Sequence, residues 1–290
     1  MSDPFATVFP APAKINRFLQ ITGRRPDGYH ELQTVFQFVG LQDELRFSPL
    51  PGGVFELDAP AELQAADNLC LQAARIVSGA SGRDFGVRIE LTKRIPVGGG
   101  LGGGSSDAAT TLVALNHLFG LGLELGELVE LALKLGADVP VFVHGRAAWA
   151  EGVGDRLVPV EPETPWALLI DPGVAVSTAT MFRSGELTRD CPAERIAHSG
   201  YAALKNVFEP LARRSHPRID AALHWLEGLG VEARLSGTGG CLFGLFATEA
   251  EAQQARSQQP DAWRSWVVRL CNRSPLCAWH PGVAQDGAVS

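Results

Sequence analysis

The sequence has no Cys-x-x-Cys pair, and its five cysteines (Cys70, Cys191, Cys241, Cys271 and Cys277) are scattered and odd in number. That excludes a disulfide framework or a zinc site as the organising device, and a reducing cytoplasm is the expected compartment. No run of 18 apolar residues occurs, and Met1-Ser-Asp-Pro-Phe5 has no basic segment leading into an apolar core. Neither a membrane span nor an export signal is therefore expected. Positive charge is in short supply: 25 Lys+Arg against 32 Asp+Glu give a net charge of −7. This is the wrong sign for a general nucleic-acid or acidic-membrane binder and leaves small molecules as the expected partners. No Gly-Lys-Ser/Thr follows a glycine loop, no Gly-x-Ser-x-Gly elbow is present and no His-Arg-Asp loop is found. A P-loop ATP site, a serine-elbow hydrolase and a protein-kinase catalytic loop are excluded in turn.

What is abundant is glycine in one place. Within Arg94-Ile-Pro-Val-Gly-Gly-Gly-Leu-Gly-Gly-Gly-Ser-Ser-Asp107, six of the seven residues from Gly98 to Gly104 are glycine. Each costs about 0.5–1 kcal/mol relative to alanine in a regular element, so the run needs a geometric reason. Close approach of backbone N–H groups to an anion supplies one. Ala108, Leu112, Leu115 and Phe119 follow at helical spacing, with Ser105, Ser106 and Asp107 where a helix begins. A loop opening a helix N-terminus presents unpaired amides and the positive end of the helix dipole, which together bind phosphate. A flexible linker would lack the strand-like run Phe85 to Leu91 before it and the packed helix after it. Gly98, Gly100 and Gly103 also match dinucleotide spacing, but Glu124, the acidic residue at the required distance, lies beside a helical run.

Elsewhere the chain reads as mixed α and β. Residues 5–22 read as extended, with Lys14 and Asn16 on one face, an arrangement that also fits the solvated side of an edge strand. Gly23 to His30 is a turn-rich loop carrying two arginines, Tyr29 and His30, chemistry that suits binding as well as packing. Leu32 to Gly40, Glu44 to Ser48 and Val54 to Leu57 are predicted strands, the first two separated at Asp43. Asp67 or Asn68 caps a helix from Leu69 to Val77, and a second helix runs from Leu125 to Leu135, stopped by Gly136. Ala137 to Val143 is predicted as a buried strand because Pro140 disfavours a helical Val139, which leaves Asp138 at a helix-to-strand turn.

A run of prolines (Pro159, Pro162, Pro165) places a domain boundary near 158, giving an N-terminal domain at 1–158 and a C-terminal domain at 159–290. The second half alternates helices (203–213, 219–229) with strands (166–170, 233–236, 241–246, 266–270), an α+β pattern. A second glycine turn, Leu235-Ser-Gly-Thr-Gly-Gly-Cys241, joins two of those strands. The last ten residues, from Pro281, read as a frayed tail.

Three ordered motifs, Pro12-Ala-Lys-Ile-Asn16, Pro96-Val-Gly-Gly-Gly-Leu-Gly-Gly-Gly-Ser-Ser106 and Leu235-Ser-Gly-Thr-Gly-Gly240, resemble those of the GHMP small-molecule kinases. Asp27-Gly-Tyr-His30 and Gly136-Ala-Asp-Val-Pro-Val-Phe142 are similar to the branch acting on a cytidyl-linked polyol in non-mevalonate isoprenoid synthesis. The resemblance implies an N-terminal ATP-binding domain like that of ribosomal protein S5 domain 2, a ferredoxin-like C-terminal domain, and ATP with Mg2+ in the cleft between them. It implies transfer of phosphate to a 2-hydroxyl, with Asp138 as base and Lys14 beside it. Pro96, Val97, Gly98, Gly99, Gly100, Leu101, Gly102, Gly103, Gly104, Ser105 and Ser106 would hold the ATP phosphates, with Ser105 or Ser106 near the metal and Asn68 and Lys93 by the adenosine. Tyr29 would stack on the cytosine, His30 would hydrogen-bond to it, Phe182 would supply the opposing aromatic face and Asn16 would bond the substrate. Asp107 would either stand behind the metal or merely favour the helix start. A kinase of homoserine, mevalonate or a sugar would keep both glycine loops without a cytosine pocket. A non-enzymatic binding member of the fold would tolerate loss of Asp138.

Overall fold

Two neighbouring strands of unusual length organise the molecule, and the helices pack against them in a computed structural model that describes residues 3–195 and 204–281. In chain order the elements are β1 (Phe9–Arg24), β2 (His30–Leu50), β3 (Phe55–Asp58), α1 (Leu69–Ser81), β4 (Gly86–Thr92), α2 (Gly103–Leu118), α3 (Leu125–Leu135), α4 (Val139–His144), β5 (Ala148–Glu151), β6 (Arg156–Pro159), β7 (Trp166–Asp171), α5 (Thr178–Arg183), α6 (Glu209–Ser215), α7 (Pro217–Gly228), β8 (Ala233–Leu235), β9 (Leu242–Phe246), α8 (Glu249–Ser257) and β10 (Arg264–Cys271). The class is α+β, as the sequence predicts. The N-terminal edge of the helix predicted at 203–213 lies outside the described residues, and so does the tail beyond Pro281.

β1 is buried on both faces from Phe9 to Ile21, so Lys14 and Asn16 sit in the interior and not on a solvated edge. It pairs antiparallel with β2 from Phe9↔Leu45 to Arg24↔His30. The opposite edge of β2 takes three partners in succession, β5 at 34–36, β10 at 38–39 and β4 at 44–50. β2 is therefore one continuous strand, and the predicted break at Asp43 is corrected. Asp43 is fully buried, and its carboxylate accepts the backbone N–H groups of Arg94 and Ile95. An aspartate that satisfies two amides across the sheet has no need of a turn.

A second correction concerns residues 139–144, which form α4 and not a strand. Pro140 lies in the first turn, where a missing N–H breaks no intrahelical bond, so the proline starts this helix. The glycine-loop helix also begins earlier than expected, at Gly103, with Gly102 in the left-handed N-cap position and no side-chain cap. Ser105 thus belongs to its first turn, and Asp107 lies just beyond it. Nearly every residue of α2 from Ser106 to Asn116 is buried, which small Ala and Thr side chains permit in a central helix. The periodicity missed α5 and α8; only Ala252 and Ala255 of α8 are buried.

One hydrophobic core lies under α1 to α4 against β1, β2 and β4, and a second packs α6, α7 and α8 on β7, β8 and β9. A third joins the halves, and it contains both Leu101 of the first glycine loop and Cys241 of the second. The end of the chain returns to the first half. β10 pairs Leu270 with Val39, Ala147 N–H donates to the Asn272 carbonyl at 2.8 Å, and buried Leu276 belongs to the first core. Among the described residues no helix is long and apolar enough to cross a membrane.

The turn between α2 and α3 is closed by Asn116, whose side chain accepts from Leu123 N–H at 3.0 Å and donates to the Leu123 carbonyl at 2.9 Å. Asn116→Ala leaves both buried groups unpaired and is expected to cost about 1–3 kcal/mol in urea unfolding. Ligand binding in the distant cleft should be unchanged.

Candidate active site

The glycine loop is shaped by alternation. Gly98, Gly100 and Gly102 have φ of 70°, 74° and 73°, the left-handed region that favours glycine. Leu101, its one side chain of any size, is 1% exposed and anchors the loop in the core that joins the two halves. The second glycine turn packs directly on the first. Cys241 N–H donates to the Gly99 carbonyl at 2.9 Å and Ser236 Oγ to the Gly100 carbonyl at 3.0 Å. A Cβ on Gly240 would come within 2.9 Å of Gly99 Cα, so only glycine allows this backbone contact. The two glycine turns thus meet backbone to backbone.

Lys14 reaches the loop from β1. Its Nζ, 3% exposed as a residue, donates to Asn16 Oδ1 at 2.7 Å and to the Gly100 carbonyl at 3.1 Å, and lies 3.4 Å from Asp138 Oδ2. Phe36 presents its ring face 5.2 Å away. Asn16 in turn donates to Thr34 Oγ1 at 2.9 Å, which fixes the amide so that its oxygen faces the lysine. Asp138 occupies the N-cap position of α4 but makes no side-chain cap bond. Its carboxylate, 38% exposed, is turned to Lys14 and the cleft. An ammonium held among a carboxylate, a carbonyl and an amide oxygen is ready to face an anion.

A buried charge cluster sits behind the loop. Lys93 Nζ bridges Asp43 and Asp107, the latter at 2.7 Å, so much of its charge is committed to these two carboxylates even though it lines the cleft beside Asn68. Burial alone would lower the Lys93 pKa, but the Asp107 and Asp43 charges outweigh it and the net shift is upward. Two carboxylates share one ammonium, leaving surplus negative charge. Burial, eased by Lys93 and reinforced by Asp43, raises Asp107 to about 7. Asp107 Oδ1 and Ser106 Oγ are both buried without a hydrogen-bond partner. Asn68 caps α1, its Oδ1 accepting from Cys70 N–H at 2.9 Å.

At the other end of β1, Arg24 pairs with His30 across the ladder, next to the turn that carries Tyr29. Tyr29 is 66% exposed, an uncovered ring. The Phe182 ring lies 5.2 Å from that of His30 at an interplanar angle of 35°. Arg189, which the sequence did not single out, donates through Nε to His30 Nε2 at 3.1 Å. Burial, with the charges of Arg189 and Arg24, lowers the His30 pKa and keeps the ring neutral.

One cleft of about 1340 Å3 collects these groups. Its wall includes Lys14, Asn16, Tyr29, His30, Asn68, Lys93, every residue from Pro96 to Ser105, Asp138 and Phe182. Ser106 is the one candidate residue outside the wall, since it lies on the buried side of α2. Arg189 was missed by sequence reading, while Asp43, read as a strand break, and Thr238, quoted only within the second glycine motif, were given no role at the site.

A glycine-rich loop at a helix N-terminus, with buried Lys14 paired to the partly exposed Asp138 at its side and both set between two α+β halves, is an arrangement suited to a small-molecule kinase. Residues 68–146 match the family model of the GHMP kinases N terminal domain, and residues 192–264 match that of the GHMP kinases C terminal. The 4-diphosphocytidyl-2-C-methyl-D-erythritol kinase of Chromohalobacter salexigens is 50% identical over 274 residues, covering 92% of each chain. That of Halorhodospira halophila is 49% identical, covering 93% of this chain and 95% of the relative. The chain belongs to the GHMP kinases and, within them, to the family of the 4-diphosphocytidyl-2-C-methyl-D-erythritol kinases. A crystal structure of 4-(cytidine 5'-diphospho)-2C-methyl-D-erythritol kinase superposes with a TM-score of 0.79 at 36% identity, covering 91% of this chain and 99% of that one. A homoserine kinase from Cytophaga hutchinsonii shares the fold at a TM-score of 0.67 and 20% identity, covering 93% of this chain and 95% of its own.

Because the folded-state pKa of Asp107 is raised, its contribution to stability is lost as pH climbs from the ordinary carboxylate value, about 4, towards 7. Asp107→Asn removes the surplus charge at constant size. Its stability relative to the wild type should be greater at pH 8 than at pH 5 by on the order of 2 kcal/mol, measured by urea unfolding at both pH values. An identical difference at both would mean that Asp107 is ionised throughout.

Proposed function

We propose that the chain transfers the γ-phosphoryl group of ATP to the 2-hydroxyl of 4-diphosphocytidyl-2-C-methyl-D-erythritol. The products are the 2-phosphate and ADP, in isoprenoid precursor synthesis by the non-mevalonate pathway. The observation that carries this reading is the single cleft that holds the phosphate loop, the Lys14–Asp138 pair and the Tyr29, His30 and Phe182 group. Five free cysteines, three of them buried, suit a reducing cytoplasm as the place of action.

In this reading the amides of Gly98 to Gly104 and the N-terminus of α2 receive the triphosphate. The substrate hydroxyl oxygen bonds to the γ-phosphorus as the bond to the β,γ-bridging oxygen breaks, and ADP leaves with that electron pair. Asp138 accepts the hydroxyl proton. Lys14 holds the negative charge on the transferring group, which a loose phosphoryl-transfer transition state spreads over its oxygens. Asn16, locked by Thr34, orients Lys14 and offers its remaining amide capacity to the substrate.

Mg2+ ordinarily binds through one or two protein oxygens together with substrate phosphates. The site fits that habit: the first turn of α2 puts Ser105 on the cleft wall, and among the described residues no cluster of three or more acidic, histidine or cysteine side chains forms a metal cage. Ser105 would hold the ion with the phosphates, where it would supply charge neutralisation. Tyr29 and Phe182 would flank the cytosine, and His30 would read its edge.

ADP release by the purified chain, with ATP and Mg2+, should require the cytidyl substrate and be negligible with homoserine, mevalonate or galactose. Turnover of one of those in its place would overturn the assignment. Asp138→Asn should lower kcat by roughly 10²–10⁴, the range for a lost general base, with ATP affinity by calorimetry nearly unchanged. Lys14→Met should lower kcat as well, and the double variant should lose less than the product of the two single losses, because the groups act as a unit. Near-full kcat in both Asp138→Ala and Lys14→Ala would remove the pair from the chemistry.

A further inference from the structure

Arg189 lies on the segment after α5, in the second half of the chain, yet its guanidinium ends on the imidazole that opens β2 in the first half. Its Nε donates to His30 Nε2 at 3.1 Å, Nη1 to the Leu187 carbonyl at 3.0 Å, and Nη2 to the Phe182 and Ser184 carbonyls at 2.8 and 2.7 Å. All four acceptors are neutral, and no carboxylate among the described residues forms an ion pair with it. A surface arginine seeking a counter-charge would not be arranged this way.

We propose that Arg189 is a positioning residue that fixes His30 as its Nδ1–H tautomer, and through it selects a cytosine edge over a uracil edge. The inference rests on the reading of this end of the cleft as the base pocket. A guanidinium has five N–H donors, no acceptor and no accessible neutral form. The atom that faces it, Nε2, must therefore offer a lone pair, and a neutral imidazole with its lone pair on Nε2 carries its proton on Nδ1. Protonating the ring would set two cationic donors against each other at 3.1 Å. The same guanidinium holds the carbonyl of Phe182, whose ring packs on the imidazole. Tautomer and ring plane are thus set together. Nδ1 makes no hydrogen bond to the described residues, and His30 lines the cleft.

A fixed donor reads an acceptor. Ring N3 of cytosine accepts a hydrogen bond, whereas N3 of uracil carries a proton, so a uracil would place donor against donor. A site built to hydrogen-bond one edge rejects the other because its own polar group is left unpaired. The remaining charges around His30 support a neutral ring. Arg24 is its ladder partner, Arg183 lines the same cleft, and the nearby carboxylates Asp27 and Glu31 are both engaged by Arg25.

The test measures steady-state kinetics with the cytidyl substrate, and calorimetric binding of cytidine diphosphate and uridine diphosphate, for wild type and Arg189→Ala. With Arg189 gone, both neutral tautomers become available. KM and the cytidine diphosphate Kd should rise roughly three- to tenfold at pH 8, the worth of one hydrogen bond, with kcat changing much less and the cytidine-to-uridine preference falling. As pH drops to 5.5, through the ordinary histidine value of about 6.5, the freed ring becomes protonated and carries Nδ1–H again. The ratio of variant to wild-type Kd should then shrink. A merely structural role for Arg189 gives a ratio independent of pH. Nitrogen-15 NMR of the wild-type His30 ring should show Nδ1–H at pH 8. An Nε2–H tautomer, or a pH-independent ratio with cytidine diphosphate still bound, would overturn the role of Arg189 alone. Failure of the wild type to bind either diphosphate would remove the base-pocket reading, and this inference with it.

Discussion

The contact of glycine on glycine between the two halves is what the rest of the site depends on. Gly240 meets Gly99 closely enough that no side chain fits between them, and the Gly99 and Gly100 carbonyls accept from Cys241, Ser236 and Lys14. Those carbonyls are committed to protein donors. A loop with six glycines would otherwise sample many conformations, and its entropy would oppose phosphate binding. Here the second glycine turn and buried Leu101 have restricted it in advance. Gly102 adds a steric link to the chemistry, because a Cβ there would meet the Phe142 ring at 2.7 Å and Lys14 Cε at 3.1 Å.

The electrostatics divide along the same line. Lys14 lines the cleft beside a carboxylate that is partly exposed. Lys93 is enclosed by two buried carboxylates, which commits it to tying β2, the entry to the glycine loop and α2 into one unit. Breaking such a buried set by removing one partner leaves an uncompensated charge and is strongly destabilising. Two lysines of one cleft thus sit in different settings, one beside a partly exposed carboxylate and one enclosed by two buried ones.

The glycine loop was legible in the sequence because local density of one residue type carries its own physical meaning. Lys14 and Asp138 were not legible by pattern alone, since a lysine in an alternating strand and an aspartate before a proline both have ordinary explanations. Only their place in ordered motifs separated them from the background. The strand predicted at 137–143 failed because a short apolar run does not distinguish a buried strand from a buried helix, and the proline was compatible with the first turn of a helix. Asp43 resembled a strand break until its carboxylate was seen to hold two amides 51 and 52 residues away. Arg189 left no local trace, because its partner His30 is 159 residues distant and its other acceptors are backbone carbonyls.

The return of the chain's end to the first half bears on how the protein is made. Synthesis from the ribosome delivers amino-terminal segments first, and domains commonly fold as they emerge. The edge of β2 at Phe38 and Val39 waits for β10, and the amino-terminal core waits for Leu276 and for Trp279, whose ring lies 5.0 Å from that of Phe9. An early-folded amino-terminal half would present an unpaired strand edge and an uncovered apolar face until β10 and the segment to Trp279 have been made. Truncation at residue 270 would therefore be felt first by the core built on residue 9.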